Sequence, residues 1–220
     1  MPLPDQLAAG YRSFLADRLP VEQNRYRALA EGGQKPEVMV IGCCDSRVSA
    51  SVIFDTGPGE LFIMRNVANL VPPYAPDDSY HGVSAALEFA VQALGVKHIV
   101  VLGHALCGGV RAFVEDGSPL SPGDFIGKWI SMLGPVAEEL GPRGAQESVA
   151  DYAIRLEQAS LSRSIANLMT FPFVRTRVAA GTLALHAAYF GVATGQLLIL
   201  DEATGTFMPF ASAPDAAPRF

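Results

Sequence analysis

Apolar residues along the chain follow two rhythms. Leu7, Tyr11, Phe14, Leu15 and Leu19 recur at helical spacing over residues 5–19, and Pro20 is expected to stop that helix. Residues 21–31 predict a second short helix, broken by Gly32-Gly33. Val38-Met39-Val40-Ile41 is wholly apolar, as a strand buried on both faces is, and it delivers Cys43 to its carboxyl end. Leu61-Phe62-Ile63-Met64 is a second such run leading into Arg65-Asn66, and His98-Ile99-Val100-Val101-Leu102 is a third leading to Gly103-His104. Residues 81–94 form an amphipathic helical pattern closed by Gly95. Residues 108–116, 123–140 and 145–169 read as helical, and Pro172 and Val174 to Ala180 form a further helix ended by Gly181. Two alternating runs, 183–190 and 196–200, flank Ala193-Thr194-Gly195 and predict a terminal hairpin.

Strands alternating with helices imply an α/β fold: a mostly parallel central sheet flanked by helices on both faces, ending in an antiparallel hairpin. Residues 1–220 read as a single domain, with an N-terminal helical arm over 1–33 and a loose Ala- and Pro-rich tail over 211–220. In such sheets ligands bind outside the carboxyl ends of the strands, so Cys43 and the His104/Cys107 pair can meet at one point.

Composition narrows the class. Half of the residues are hydrophobic and 17% are charged, ample for a core. A net charge of −6 argues against a nucleic-acid or anionic-membrane partner. No basic segment followed by an apolar stretch opens the chain, and no uninterrupted apolar run of about 18 residues is present, so neither a signal peptide nor a spanning helix is expected. The chain has three cysteines, an odd number that fits a reducing cytoplasm, with thiols used for metal or left buried.

The chemistry concentrates at two places. Cys43 with Asp45-Ser46-Arg47 behind it, and His104 with Cys107, supply two thiols and an imidazole, a donor set that holds zinc. Three protein ligands leave a fourth position for water, the catalytic arrangement. Singly, each has a plainer reading: a cysteine after a strand is often a small hydrophobe. Adjacent cysteines are not a Cys-x-x-Cys redox pair, so Cys44 is expected to point away from Cys43 into the core. Ser46 is expected to shape the turn. His81, His98 and His186 have no ligand partner nearby in sequence and read as structural or surface histidines.

Cys43-Cys44-Asp45-Ser46-Arg47, His104-Ala105-Leu106-Cys107-Gly108-Gly109 and the run Gly59 to Pro72 together resemble the β-class carbonic anhydrases, and the similarity continues more weakly to Leu200. The resemblance implies reversible hydration of CO₂ to bicarbonate and a proton by a zinc-bound hydroxide. One Zn²⁺ per chain would sit on Cys43, His104 and Cys107. Two thiolates cancel the charge of the ion, so such a site should acidify water less than three histidines do. By resemblance, Asp45 paired to Arg47 helps hold and aim the hydroxide, and released from Arg47 it can instead occupy the fourth zinc position. Gln34 matches a glutamine that the neighbouring subunit offers to the substrate oxygen. Phe62 and Val67 match apolar residues of the CO₂ pocket, and Phe89 falls where many relatives carry a tyrosine. Gly103 and Gly108 are expected to let the backbone approach the metal. In the bicarbonate-switched subgroup an arginine matching Arg65 joins a tryptophan; that position is Val40 here, which implies the open-site subgroup and a structural role for Arg65. A homodimer or a dimer of dimers is implied, with helix 5–19 reaching to the partner. The alternatives are a carbonyl sulfide or carbon disulfide hydrolase on this scaffold, and an inactive zinc-binding protein.

Overall fold

The apolar runs become three adjacent strands at one side of a six-stranded sheet in the computed structural model, which describes residues 2–116 and 124–210. Strands β1 (Val38–Cys43), β2 (Leu61–Asn66), β3 (His98–His104) and β4 (Ala184–Phe190) are parallel; β5 (Leu197–Asp201) and β6 (Thr206–Pro209) return antiparallel. The order is β2-β1-β3-β4-β5-β6, so β1 lies between β2 and β3. The helices are α1 (Asp5–Ser13), α2 (Leu19–Gly32), α3 (Ala50–Ile53), α4 (Gly82–Glu88), α5 (Gly108–Asp116), α6 (Asp124–Ile130), α7 (Gly134–Leu140), α8 (Val149–Leu168) and α9 (Pro172–Ala179).

Alternation along the strands divides the core. Met39, Ile41, Ile99, Val101, Leu185, Ala187 and Tyr189 face one side, where Leu87 of α4, Leu161 and Leu168 of α8 and Val174 of α9 close over them. Each such side chain, fully buried, contributes on the order of 2 kcal/mol. Val40, Leu102 and Ala188 face the other side with Ala50 of α3. Helices were expected on both faces. Among the described residues this second face carries only α3 against its core cluster, and Val100, Leu197 and Ile199 stay half-buried. They line an apolar groove of about 560 Å³ with Phe54 and Met208.

Pro20 does not end the first helix. Helical structure runs from Asp5 to Gly32 through a π turn at Phe14–Arg18, where the Leu19 N–H reaches back to the Phe14 carbonyl. Pro20 then falls in the first turn of α2, where a missing N–H costs little. No residue of α1 or α2 is buried; Arg25 donates to the Pro58 carbonyl and pairs with Glu60. The helix expected over 123–140 is broken at Ser131–Leu133 by a 3₁₀ turn, because Pro135 has no N–H to give the Ser131 carbonyl. The helix expected from 145 begins at Val149, capped by Ser148 accepting from the Asp151 N–H. The hairpin after Leu183 is present as β4–β5, and β6 extends it. The tail expected over 211–220 lies outside the described residues.

Candidate metal centre and active site

Two parallel neighbours bring the ligands together. β1 and β3 pair Gly42 with Leu102, so both strands end at the same height, and adjacent strands lie roughly 4.8 Å apart. Cys43 ends β1, His104 ends β3, and all three ligand residues are buried. One donor atom from each of Cys43, His104 and Cys107 lies within 4.8 Å of the others, a span that an ion of zinc's size bridges. His104 Nδ1 donates to the Ala105 carbonyl at 2.9 Å, since a carbonyl can only accept. That leaves the Nε2 lone pair free for metal, and Nε2 is a buried nitrogen with no hydrogen-bond partner. The donor set therefore fits zinc.

Electrostatics point the same way. A hydrogen bond from Cys107 pulls the Cys43 thiol well down, and the same shared proton pushes Cys107 upward. Burial works to lower the His104 pKa, but the neighbouring Cys43 sulfur and the bond to the Ala105 carbonyl outweigh it and the net direction is upward. Negative charge thus gathers at the two sulfurs, where a cation would release the remaining proton.

Asp45 and Arg47 sit on the loop after β1. Arg47 Nε donates to Asp45 Oδ1 at 2.9 Å and Nη2 to Oδ2 at 2.7 Å, a two-pronged fork, and the Arg47 N–H adds a bond to Oδ1 at 3.0 Å. Arg47 holds the Asp45 carboxyl well below the usual carboxylate range. Asp45 Oδ2 lies 3.9 Å from His104 Nε2, on the metal side. Arg65 clamps the loop from below, donating to the carbonyls of Cys43, Asp45 and Val48, each at 2.7 Å. Cys44 was expected in the core and is exposed instead: its N–H bonds the Asn66 carbonyl as β1 gives way to the loop, so its side chain leaves the sheet's packing.

The pocket residues separate into two groups. Val67 packs with Cys43 and Cys107; its carbonyl accepts from the Trp129 indole at 2.8 Å. The next two residues, Ala68 and Asn69, take left-handed φ of 62° and 48°, and the Asn66 side chain bridges the turn to Leu70 with bonds of 2.9 and 2.8 Å. Gly109 makes this approach possible: a Cβ there would stand 2.8 Å from Val67 Cγ1. Gly108, by contrast, is exposed with open space around its α-carbon, so nothing crowds it. Gly103 does not serve the metal approach either; a Cβ there would meet Leu161 at 2.9 Å, so it admits α8 onto the sheet.

Gln34, Phe62 and Phe89 are not brought to the ligands of their own chain. Gln34 is exposed in the segment that leads into the opposite end of β1 from Cys43. Phe62 pairs with Met39 while Asn66 pairs with Cys43, so about 13 Å of strand intervenes. Phe62 packs instead on Phe89, with ring centroids 5.8 Å apart, and Phe89 is half exposed.

Sequence reading passed over Glu157 and Tyr189. Glu157, on α8, is 4% exposed; it accepts from the Cys107 N–H at 2.8 Å and from the Tyr189 hydroxyl at 2.5 Å. Burial pushes its pKa up, against those hydrogen bonds. The signal was available: Glu157 stands in the buried stripe Tyr152, Ala153, Leu156, Ser160 and Leu161, where an acid is out of pattern.

A Cys–His–Cys cluster beside an Asp–Arg fork, at the carboxyl ends of parallel strands, is the donor set of a catalytic metal centre in an α/β protein. Residues 38–197 match the family described as Carbonic anhydrase. The chain is 34% identical over 194 residues to Beta carbonic anhydrase 3 of Arabidopsis thaliana, covering 87% of this chain and 74% of that protein. Its fold is similar to that of the β-carbonic anhydrase CcaA, with a TM-score of 0.85, 25% identity and coverage of 94% and 92% of the two chains. It is similar also to tetrameric β-carbonic anhydrases of Sordaria macrospora, with a TM-score of 0.77, 32% identity and coverage of 89% and 95%. The chain belongs to the β-class carbonic anhydrases, enzymes that interconvert CO₂ and bicarbonate. Neither a sulfur-substrate hydrolase nor an inactive zinc protein is favoured by these relatives.

Proposed function

We propose that Cys43, His104 and Cys107 hold one Zn²⁺ and that Asp45, fixed by Arg47, serves the CO₂ hydration step beside it. The observation that carries this reading is His104 Nε2, buried, without a hydrogen-bond partner, and turned towards two sulfurs. When bound, zinc supplies Lewis acidity that makes a water nucleophilic near neutral pH. Asp45 Oδ2, on the side of the ligand cluster, would accept a hydrogen bond from the attacking water and orient it, while Arg47 keeps the carboxylate ionised and turned. In this paired state Asp45 does not close onto the metal, which is the open form. Val67 gives a nonpolar wall for CO₂ beside the ligands, and Gly108, exposed next to Cys107, is assigned to the substrate side.

Gln34, Phe62 and Phe89 serve the substrate side of a neighbouring subunit's centre. Their distance from their own ligands supports this, as do the uncovered second face of the sheet and the unburied arm α1–α2. The assembly is a homodimer or a dimer of dimers, and the Sordaria macrospora relatives named above are tetrameric. Three free cysteines suit a reducing compartment, for which we assign the cytoplasm. No helix among the described residues is long and apolar enough to cross a membrane. The domain runs through 1–220, with the arm over 1–33.

Metal analysis of the purified protein, with CO₂ hydration assayed for wild type and for Cys107→Ser, tests this reading. One zinc per chain in wild type, and little metal and little activity in the variant, are expected. Full activity in the variant would contradict it.

A further inference from the structure

The Leu106–Cys107 peptide lies between two opposite charges. Its carbonyl accepts from Arg47 Nη2 at 2.9 Å, and its N–H donates to Glu157 Oε1 at 2.8 Å. A trans peptide points these two groups in opposite directions, so one unit is gripped from both sides. Flipping it would turn the carbonyl onto a carboxylate and the N–H onto a guanidinium, and both contacts would become repulsive. The grip is needed, because Leu106 has φ +61°, a conformation a leucine adopts only under constraint. Leu106 is also more than half exposed, so packing of its own side chain does not supply that constraint. The second oxygen of Glu157 is taken by the Tyr189 hydroxyl at 2.5 Å. Tyr189 stands on β4 opposite Gly103 of β3, one residue before His104. Glu157 is thus anchored to the sheet that carries two of the ligand residues while it holds the backbone of the third.

We propose that Glu157, with Tyr189, is a positioning residue for the metal. It locks the Leu106–Cys107 peptide so that the Cys107 sulfur stays turned to Cys43 and His104, and it thereby slows the loss of zinc. Glu157 touches neither substrate nor metal; its effect passes through the backbone of Cys107. The inference rests on the zinc reading above. It also explains why an acid is retained in the apolar stripe of α8, where a leucine would pack at lower desolvation cost.

The test is release of zinc from metal-loaded protein into an excess of a chromogenic chelator. Wild type, Glu157→Gln, Glu157→Leu and Tyr189→Phe are compared, and the melting temperature of each zinc-free protein is recorded alongside. Partners that orient a ligand typically change metal affinity by about 10- to 100-fold. Glu157→Leu is expected to release zinc at least about tenfold faster. Glu157→Gln keeps an oxygen for the Cys107 N–H and should stay within about threefold of wild type. Tyr189→Phe leaves Glu157 anchored on one side and should release zinc roughly threefold faster. Release from Glu157→Leu within about twofold of wild type, with only the zinc-free melting temperature lowered, would overturn the proposal and leave Glu157 a core residue. Should Glu157→Leu fail to fold, the decision passes to Tyr189→Phe, where unchanged release overturns it. Wild-type protein that binds no zinc would instead sink the zinc reading itself.

Discussion

At the scale of single residues, the centre depends on groups that hold other groups still. In the proposed mechanism Asp45 acts only while Arg47, bonded to both its oxygens, keeps it ionised and aimed. Asp45→Asn should lower kcat/KM for CO₂ hydration by about 10²-fold or more with zinc content unchanged, which stopped-flow assays with metal analysis would show. The pair also has a defined pH signature. Its folded pKa is depressed, so its stabilisation is fully present above the ordinary aspartate value of about 3.9 and is lost as pH falls below it. With zinc removed from both proteins, the melting difference between wild type and Asp45→Asn should therefore be constant from about pH 5 to 7 and shrink in stronger acid. The ligands and the Asp–Arg fork were legible in the sequence because their spacing is local: each lies within five residues of a strand end. Glu157 and Tyr189 were not, since their meeting with Cys107 depends on how α8 crosses the sheet, which no local pattern records.

At the scale of elements, glycines and caps decide how closely the layers approach. Gly103 admits Leu161 of α8, which is fully buried and has little room to move. Gly103→Ala should destabilise the protein by about 1–3 kcal/mol in chemical denaturation, the usual cost of overpacking. Gly109→Ala pushes on Val67 instead and should impair catalysis more than zinc content. Ser148→Ala removes the N-cap of α8 and should cost about 1 kcal/mol in the same assay. Strand positions read well from the sequence, since wholly apolar runs of four or five residues have few alternatives in an α/β chain. Helix breaks read less well. Pro20 marked a stop where a π turn allowed the helix to continue, whereas Pro135 went unheeded where it did interrupt one. A proline is tolerated or not according to whether the carbonyl four residues before it can do without that donor, and composition does not record that.

At the scale of the whole molecule, one chain leaves an unburied helical arm and a sheet face half covered. Exposed Leu7, Tyr11 and Leu15 on the arm, and Val100, Leu197 and Ile199 on the sheet, are the surface that assembly would cover. Removing residues 1–33 should reduce the assembly in sedimentation velocity and lower activity with it; an assembly of unchanged size would show that the arm does not bridge subunits. On the proposed assembly, Gln34, Phe62 and Phe89 would complete a neighbouring subunit's centre, and activity would be a property of the oligomer. The most direct measurement is stopped-flow CO₂ hydration by zinc-quantified protein, scanned from about pH 6.5 to about 9, where waters on zinc centres titrate. A rate that rises through a single titration and falls steeply in Asp45→Asn is expected of a centre whose carboxylate stays paired to Arg47. One zinc per chain with no hydration at any pH would contradict the assignment of this site to CO₂. A steep collapse below about pH 8 would instead show Asp45 leaving Arg47 for the metal.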